Sequence, residues 1–169
     1  MLFRGGISYG ETYVFDINAI VDSNLTKIKN IAGPALVKSV KELEPLGKGP
    51  RLFCDLEFTD QLDEEAKKYC KILSDNHYEI LWPAFYFIKS NDLQSESSKI
   101  CELIRPVANL WKAYNHLSFG IHYWEFLRLV VSASIRYFEI QGNRKVAEEA
   151  LSNCLKSVGL EIKEKKLYI

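Results

Sequence analysis

The stretch that most restricts how this chain can fold is Arg4-Gly5-Gly6-Ile7-Ser8-Tyr9-Gly10, close to its first residue. The apolar pair Leu2 and Phe3 leads into it, and Glu11-Thr12-Tyr13-Val14-Phe15-Asp16 follows. Two neighbouring glycines inside a β-type run mark a place where another backbone or a ligand comes close, because a Cβ would collide there. Gly10 then supplies a conformation suited to reversing the chain. Residues 2–9 therefore read as a strand, followed by a turn and a second strand around 11–15. A strand this near the chain start needs neighbours on either side, supplied by later segments or by another chain.

Asp22-Ser23-Asn24 is a turn signal within 16–31, which predicts a β-hairpin arm or a loop there. Gly33-Pro34 marks a helix start, since glycine can cap and proline fits the first helical position. Leu36, Val40 and Leu43, with Val37 beside them, recur as one apolar stripe. Pro45 stops that helix, Leu46-Gly47-Lys48-Gly49-Pro50 turns, and Arg51-Leu52-Phe53-Cys54-Asp55 reads as a short buried strand.

Beyond residue 56 the pattern becomes helical. Residues 61–73 carry acids first (Asp63, Glu64, Glu65) and lysines later (Lys67, Lys68, Lys71), an order that suits a helix dipole. Leu62, Ala66, Tyr69, Ile72 and Leu73 supply the apolar face of that predicted helix. Tyr78 to Ile88 is rich in β-formers but broken by Pro83, and reads as a strand or extended segment. Residues 93–115 form a helix that Pro106 kinks or divides. The strongest periodicity lies in 121–140. Trp124, Leu127, Val131, Ile135 and Phe138 make one stripe; Tyr123, Phe126, Val130, Ala133, Tyr137 and Ile140 make a second. His122, Glu125, Arg128, Ser132, Arg136 and Glu139 are left a narrow polar strip, so this helix is predicted to be covered on most sides. A last helix spans 143–158, ends at Gly159, and precedes a basic tail with Lys163, Lys165 and Lys166.

Composition bounds the function classes. The 169 residues are 47% apolar and 26% charged, a globular profile. Lysine plus arginine balances aspartate plus glutamate at 22 each, so overall charge favours neither nucleic acid nor an anionic membrane. No signal-peptide pattern and no long uncharged apolar run occur, which predicts a cytoplasmic protein. Cys54, Cys70, Cys101 and Cys154 have no zinc-type spacing and read as packed, reduced thiols.

The residue patterns nominate no catalytic, cofactor-binding or metal-binding residue, and no cofactor. Gly5, Gly6 and Gly10 do not satisfy a dinucleotide fingerprint, which needs a helix after the glycines. Gly47-Lys48-Gly49 lacks the P-loop frame. His77, His116 and His122 have no metal-binding spacing. Asp55, Glu57 and Asp60 cluster after a strand, where carboxylates can hold Mg²⁺; a solvated, helix-capping acidic loop is the commoner arrangement.

Taken together, Arg4-x-Gly6-Ile7-x-x-Gly10, Gly33-Pro34-Ala35-Leu36-Val37-Lys38-Ser39-Val40-Lys41 and Gly49-Pro50-Arg51-Leu52-Phe53-Cys54-Asp55 resemble, in order and spacing, the C-terminal half of class III nucleotidyl cyclase homology domains. The resemblance covers residues 2–56. It implies an α+β chain: a small ferredoxin-like (βαββαβ) remnant sheet over 1–56, followed by a mainly helical segment over 57–169 packing on it. In that family two aspartates on earlier strands hold Mg²⁺ against the triphosphate, and nothing in this sequence matches them. Val37 and Lys41 stand where the family has asparagine and arginine; valine cannot hydrogen-bond a ribose, and lysine lacks the planar guanidinium fork. Without metals, nothing neutralises the charge developing on the phosphates.

The resemblance further implies that the family strand lying between those equivalent to 2–9 and 51–55 is missing. Its omission leaves either two open edges or a directly closed β-α-β unit. Three functions follow as expectations: a non-catalytic binding or regulatory module, the C-terminal half of a cyclase completed by another chain or by upstream residues, or a helical protein-interaction domain unrelated to cyclases. The expected partner is a second copy or a separate N-terminal half, with neither nucleic acid nor membrane.

Overall fold

The computed structural model describes residues 4–21, 24–88 and 93–160. The fold is mixed α+β, with a small sheet in the first half and helices in the second. Strand β1 (Gly5–Ile7) lies parallel to β4 (Leu52–Asp55), with Gly6 opposite Phe53. Between them come a hairpin of β2 (Tyr13–Val21) and β3 (Asn24–Ala32), and helix α1 (Pro34–Lys38). The second strand is thus longer than the 11–15 expected. The turn residues Asp22 and Ser23 lie outside the described residues.

Gly6 explains how α1 sits. A Cβ there would lie 2.3 Å from the Ser39 carbonyl oxygen and 2.7 Å from the Leu43 Cβ. The close neighbour anticipated for the glycine pair is therefore the chain's own helical turn. α1 widens into a π-type turn over Ser39–Leu43 and tightens into a 3-10 turn over Glu44–Leu46. Ala35 and Leu43 are buried and Ser39 is half-buried, so the face toward the sheet runs 35, 39, 43. The predicted stripe is corrected by this packing: of its members only Leu43 is buried, while Leu36, Val37 and Val40 are exposed. The absence of a side chain at Gly6 lets the Ser39 carbonyl and Leu43 close on the strand, and that contact sets which face turns inward.

After β4, two short helices follow, α2 (Leu56–Asp60) and α3 (Glu64–Lys67), capped by the Asp55 and Asp63 side chains. The helix expected over 61–73 is confined to α3. Cys70–Ser74 is instead strand β5, paired antiparallel with β6 (His77–Ile80) around Asp75-Asn76. That two-residue connection is a hairpin signal, and cross-strand pairing outweighs the charge order that suggested helix. The sheet order is β1-β4-β6-β5. Extended structure expected over 78–88 ends at Ile80, because Pro83 opens a 3-10 turn (Trp82–Ala84) that leads into α4 (Phe85–Ile88).

Three long helices complete the chain: α5 (Leu93–Tyr114), α6 (Gly120–Ile140) and α7 (Arg144–Ser157). Pro106 does not divide α5. It is exposed, as is Glu102, whose carbonyl loses its helical partner there, so water can satisfy that group. The main core lies among these helices, with Phe87 stacked on Tyr137 at 5.2 Å and edge-on to Phe138. Helix α6 is enclosed as its two stripes predict; Leu127, Val130, Val131, Ala133, Ile135, Tyr137 and Phe138 are all buried. Among the described residues no helix is long and apolar enough to cross a membrane. The basic tail at 163–166 lies outside the described residues.

Candidate functional site

Parallel strands β1 and β4 end side by side, and the residues at and just past their carboxyl ends, Ser8 and Asp55, meet. The C-terminal edge of parallel strands is where open α/β sheets place ligands, because loops diverge there and helix N-termini converge. Asp55 is 1% exposed. Its carboxylate accepts a short hydrogen bond from the Ser8 hydroxyl and one from the Phe58 N–H at 2.8 Å, and pairs with the Lys38 ammonium at 3.0 Å. Lys38 also reaches the exposed Glu57 carboxylate at 2.7 Å. Glu57 and Asp55 thus share one cation, while Asp60 is exposed and stands apart.

Burial pushes the Asp55 carboxyl upward, but the Ser8 and Phe58 hydrogen bonds and the Lys38 charge together hold it below the usual aspartate range. Lys38 is held above its ordinary value chiefly by the hydrogen bond to Glu57; burial opposes this, and the Asp55 hydrogen bond and charge add to it. The Lys38 contact holds Glu57 down in turn. An aspartate whose folded pKa is depressed stabilises the fold fully above its unfolded value near 3.9 and loses that contribution as pH falls through the folded value. Asp55→Asn should therefore flatten the dependence of the urea midpoint on pH below about 4. An unchanged acid limb in that variant would show that Asp55 is not the group responsible.

Chemically the arrangement is a closed ion pair. Each Asp55 oxygen has a partner, and among the described residues no group of three acidic, histidine or cysteine side chains is placed to hold a metal ion. Val37 and Lys41 project from exposed positions on α1 and the turn after it, and neither belongs to the Asp55 cluster.

The other sequence candidates are placed by packing. Gly49 adopts a positive φ of 77°, and a Cβ there would meet the His122 carbonyl at 2.7 Å. The Gly49 N–H donates to His122 Nδ1 at 3.0 Å, so the Gly47-Lys48-Gly49 loop is pinned to the first turn of α6. His77 contacts the Ser74 hydroxyl across the β5–β6 turn, and His116 is exposed.

A second cluster was not legible in the sequence. Arg51 grips Glu79 through two nitrogens and Glu125 through Nη1 at 2.9 Å, and its guanidinium lies 5.0 Å over the Phe53 ring. Glu79 is 3% exposed, and Glu125 also receives Arg128 at 3.1 Å. The network ties β4 and β6 to α6. Its partners lie 28 and 74 residues from Arg51, and Glu125 reads in sequence as part of a solvated strip. Only the pairing of β4 with β6, which sets Glu79 beside Phe53 on the sheet face that Arg51 covers, reveals it.

No family model, curated protein or solved structure matches this chain.

Proposed function

We propose that this chain is a non-catalytic, nucleotidyl-cyclase-like binding module, and that what it binds is protein: a second copy of itself, meeting through the β2–β3 arm and α1. The observation that carries this reading is the apolar surface at that end of the molecule. Val14, Phe15, Ile31, Val37 and Val40 are all exposed, from 42% at Phe15 to 65% at Val14. Val14 and Phe15 point to opposite faces of the arm, so both faces carry apolar side chains. A two-stranded hairpin is marginal in water without a third layer against it, and a covering chain supplies one. The zero formal net charge means that two copies do not repel.

Against catalysis stand the unmatched metal-binding aspartates, Val37 and Lys41 at the positions of the family's asparagine and arginine, and the closed Asp55–Lys38 pair. The β1-α1-β4 connection supports reading the sheet as a ferredoxin-like remnant. A cyclase completed by another chain would need its strand to enter where β1 and β4 already pair, which weighs against that reading.

Two measurements test the proposal. Sedimentation velocity at micromolar concentration should give a dimer that the double substitution Val14→Lys, Val37→Lys converts to a folded monomer; a wild-type monomer would overturn the partner. Thermal unfolding should not shift with nucleoside triphosphates and Mg²⁺. A triphosphate-specific rise of several degrees, or cyclic product from the purified chain, would overturn the absence of catalysis.

A further inference from the structure

All four cysteines are free, and they fall into two pairs, Cys54 with Cys70 and Cys101 with Cys154. The pairs differ in what they can do. Cys54 and Cys70 belong to β4 and β5, with β6 between them. Two strand spacings amount to about 9.6 Å, beyond the roughly 4.4–6.8 Å between Cα atoms that a disulfide accepts. Joining them would require pulling β6 out of the sheet.

Cys101 and Cys154 have no such obstacle. They lie on α5 and α7, which pack directly against each other. Cys154 is buried, and its thiol is aimed at the Cys101 carbonyl oxygen, 4.0 Å away. Cys101 is half-buried and opens into a surface groove with Glu102, Arg105 and Pro106. Pro106 lacks an N–H, so the carbonyl of Glu102, next to Cys101, has no helical partner and α5 can adjust there. Burial, then the hydrogen bond with Cys101, pushes the Cys154 thiol up to about 12, so it is protonated at neutral pH. Solvent reaches only its neighbour.

We propose that Cys101 and Cys154 form a reversible oxidation site at which a hydroperoxide converts the two thiols to a disulfide stapling α5 to α7. Cys101 attacks as thiolate on a peroxide oxygen; the O–O bond breaks, the leaving hydroxide takes a proton to become water, and Cys101 becomes a sulfenic acid. The Cys154 sulfur then attacks the Cys101 sulfur, and its proton leaves with the sulfenic hydroxyl as a second water. The two thiols are oxidised by two electrons and one hydrogen peroxide is reduced to two waters.

The test is non-reducing peptide mapping by mass spectrometry of the full chain after stoichiometric hydrogen peroxide. The expected result is one cross-linked peptide pair, Cys101 to Cys154, two hydrogens lighter than its thiols, reversed by dithiothreitol, with Cys54 and Cys70 still free. In Cys154→Ala, Cys101 should stop at the sulfenic acid and be trapped by dimedone. Recovery of Cys101 as a thiol or sulfinic acid without the cross-link in wild type would overturn the proposal, as would a Cys54–Cys70 bridge forming first.

Discussion

Replacing Arg51 with alanine is expected to cost about 3–5 kcal/mol of folding stability, the range for removing one partner from a buried ion pair. The size follows from what is left behind. Glu79 and Glu125 have side chains only 4% and 12% exposed and would face each other's negative charge without the guanidinium between them. The Arg51 contact with the Phe53 ring would go as well. Arg51→Lys should recover only part of the loss, because an ammonium cannot hold Glu79 through two nitrogens and Glu125 through a third. Replacing Arg51, Glu79 and Glu125 together by methionine, leucine and leucine should bring stability back to within roughly 1–2 kcal/mol of wild type, since an apolar contact needs no desolvated charge. Urea unfolding monitored by tryptophan fluorescence reads all three. A loss under about 1 kcal/mol for Arg51→Ala would mean that the cluster is wet and contributes as a surface pair does.

Gly6→Ala is the second large effect, expected near 3 kcal/mol, the upper end of overpacking costs. The added methyl would stand 2.3 Å from a backbone carbonyl, that of Ser39, and a backbone atom cannot swing aside as the end of a long side chain can. Gly5→Ala is the internal control. Its Cβ would meet only the Leu52 Cδ2 at 3.3 Å, a side-chain terminus that can give, so it should cost less than about 1 kcal/mol. Because Gly6 spaces α1 from β1, Gly6→Ala should also loosen the Lys38–Asp55 pair, and hydrogen exchange at the Phe58 amide should rise in that variant alone. Equal stabilities for the two alanine variants would remove the role given to Gly6.

The comparison of these two glycines shows where reading a sequence succeeds. A glycine pair in a β run forecasts a close approach by geometry alone, since any Cβ at that point meets the same obstacle, but it does not say which glycine is approached or by what. Register decided that: Gly6 pairs with Phe53, on the side where the turn after α1 crosses. The exposure of Leu36, Val37 and Val40 has the same origin. Their spacing marks an apolar stripe, yet a helical segment held against Gly6 at Ser39 and Leu43 turns most of that stripe outward.

What the residues determined by themselves were the elements with strong local signals: the glycine-rich strand, the strand ending at Asp55 and the three C-terminal helices, whose 3.6-residue periodicity extends over 14 to 22 residues. Tertiary structure alone decided the rest. Cys70–Ser74 is a strand because β6 is there to pair with it; Glu125 is a buried anion because Arg51, 74 residues away, reaches it. Periodicity and capping act between neighbours along the chain and are written in it. Strand pairing and buried charge depend on groups brought together only when the chain closes on itself, so one sequence holds the partners without naming the pairs.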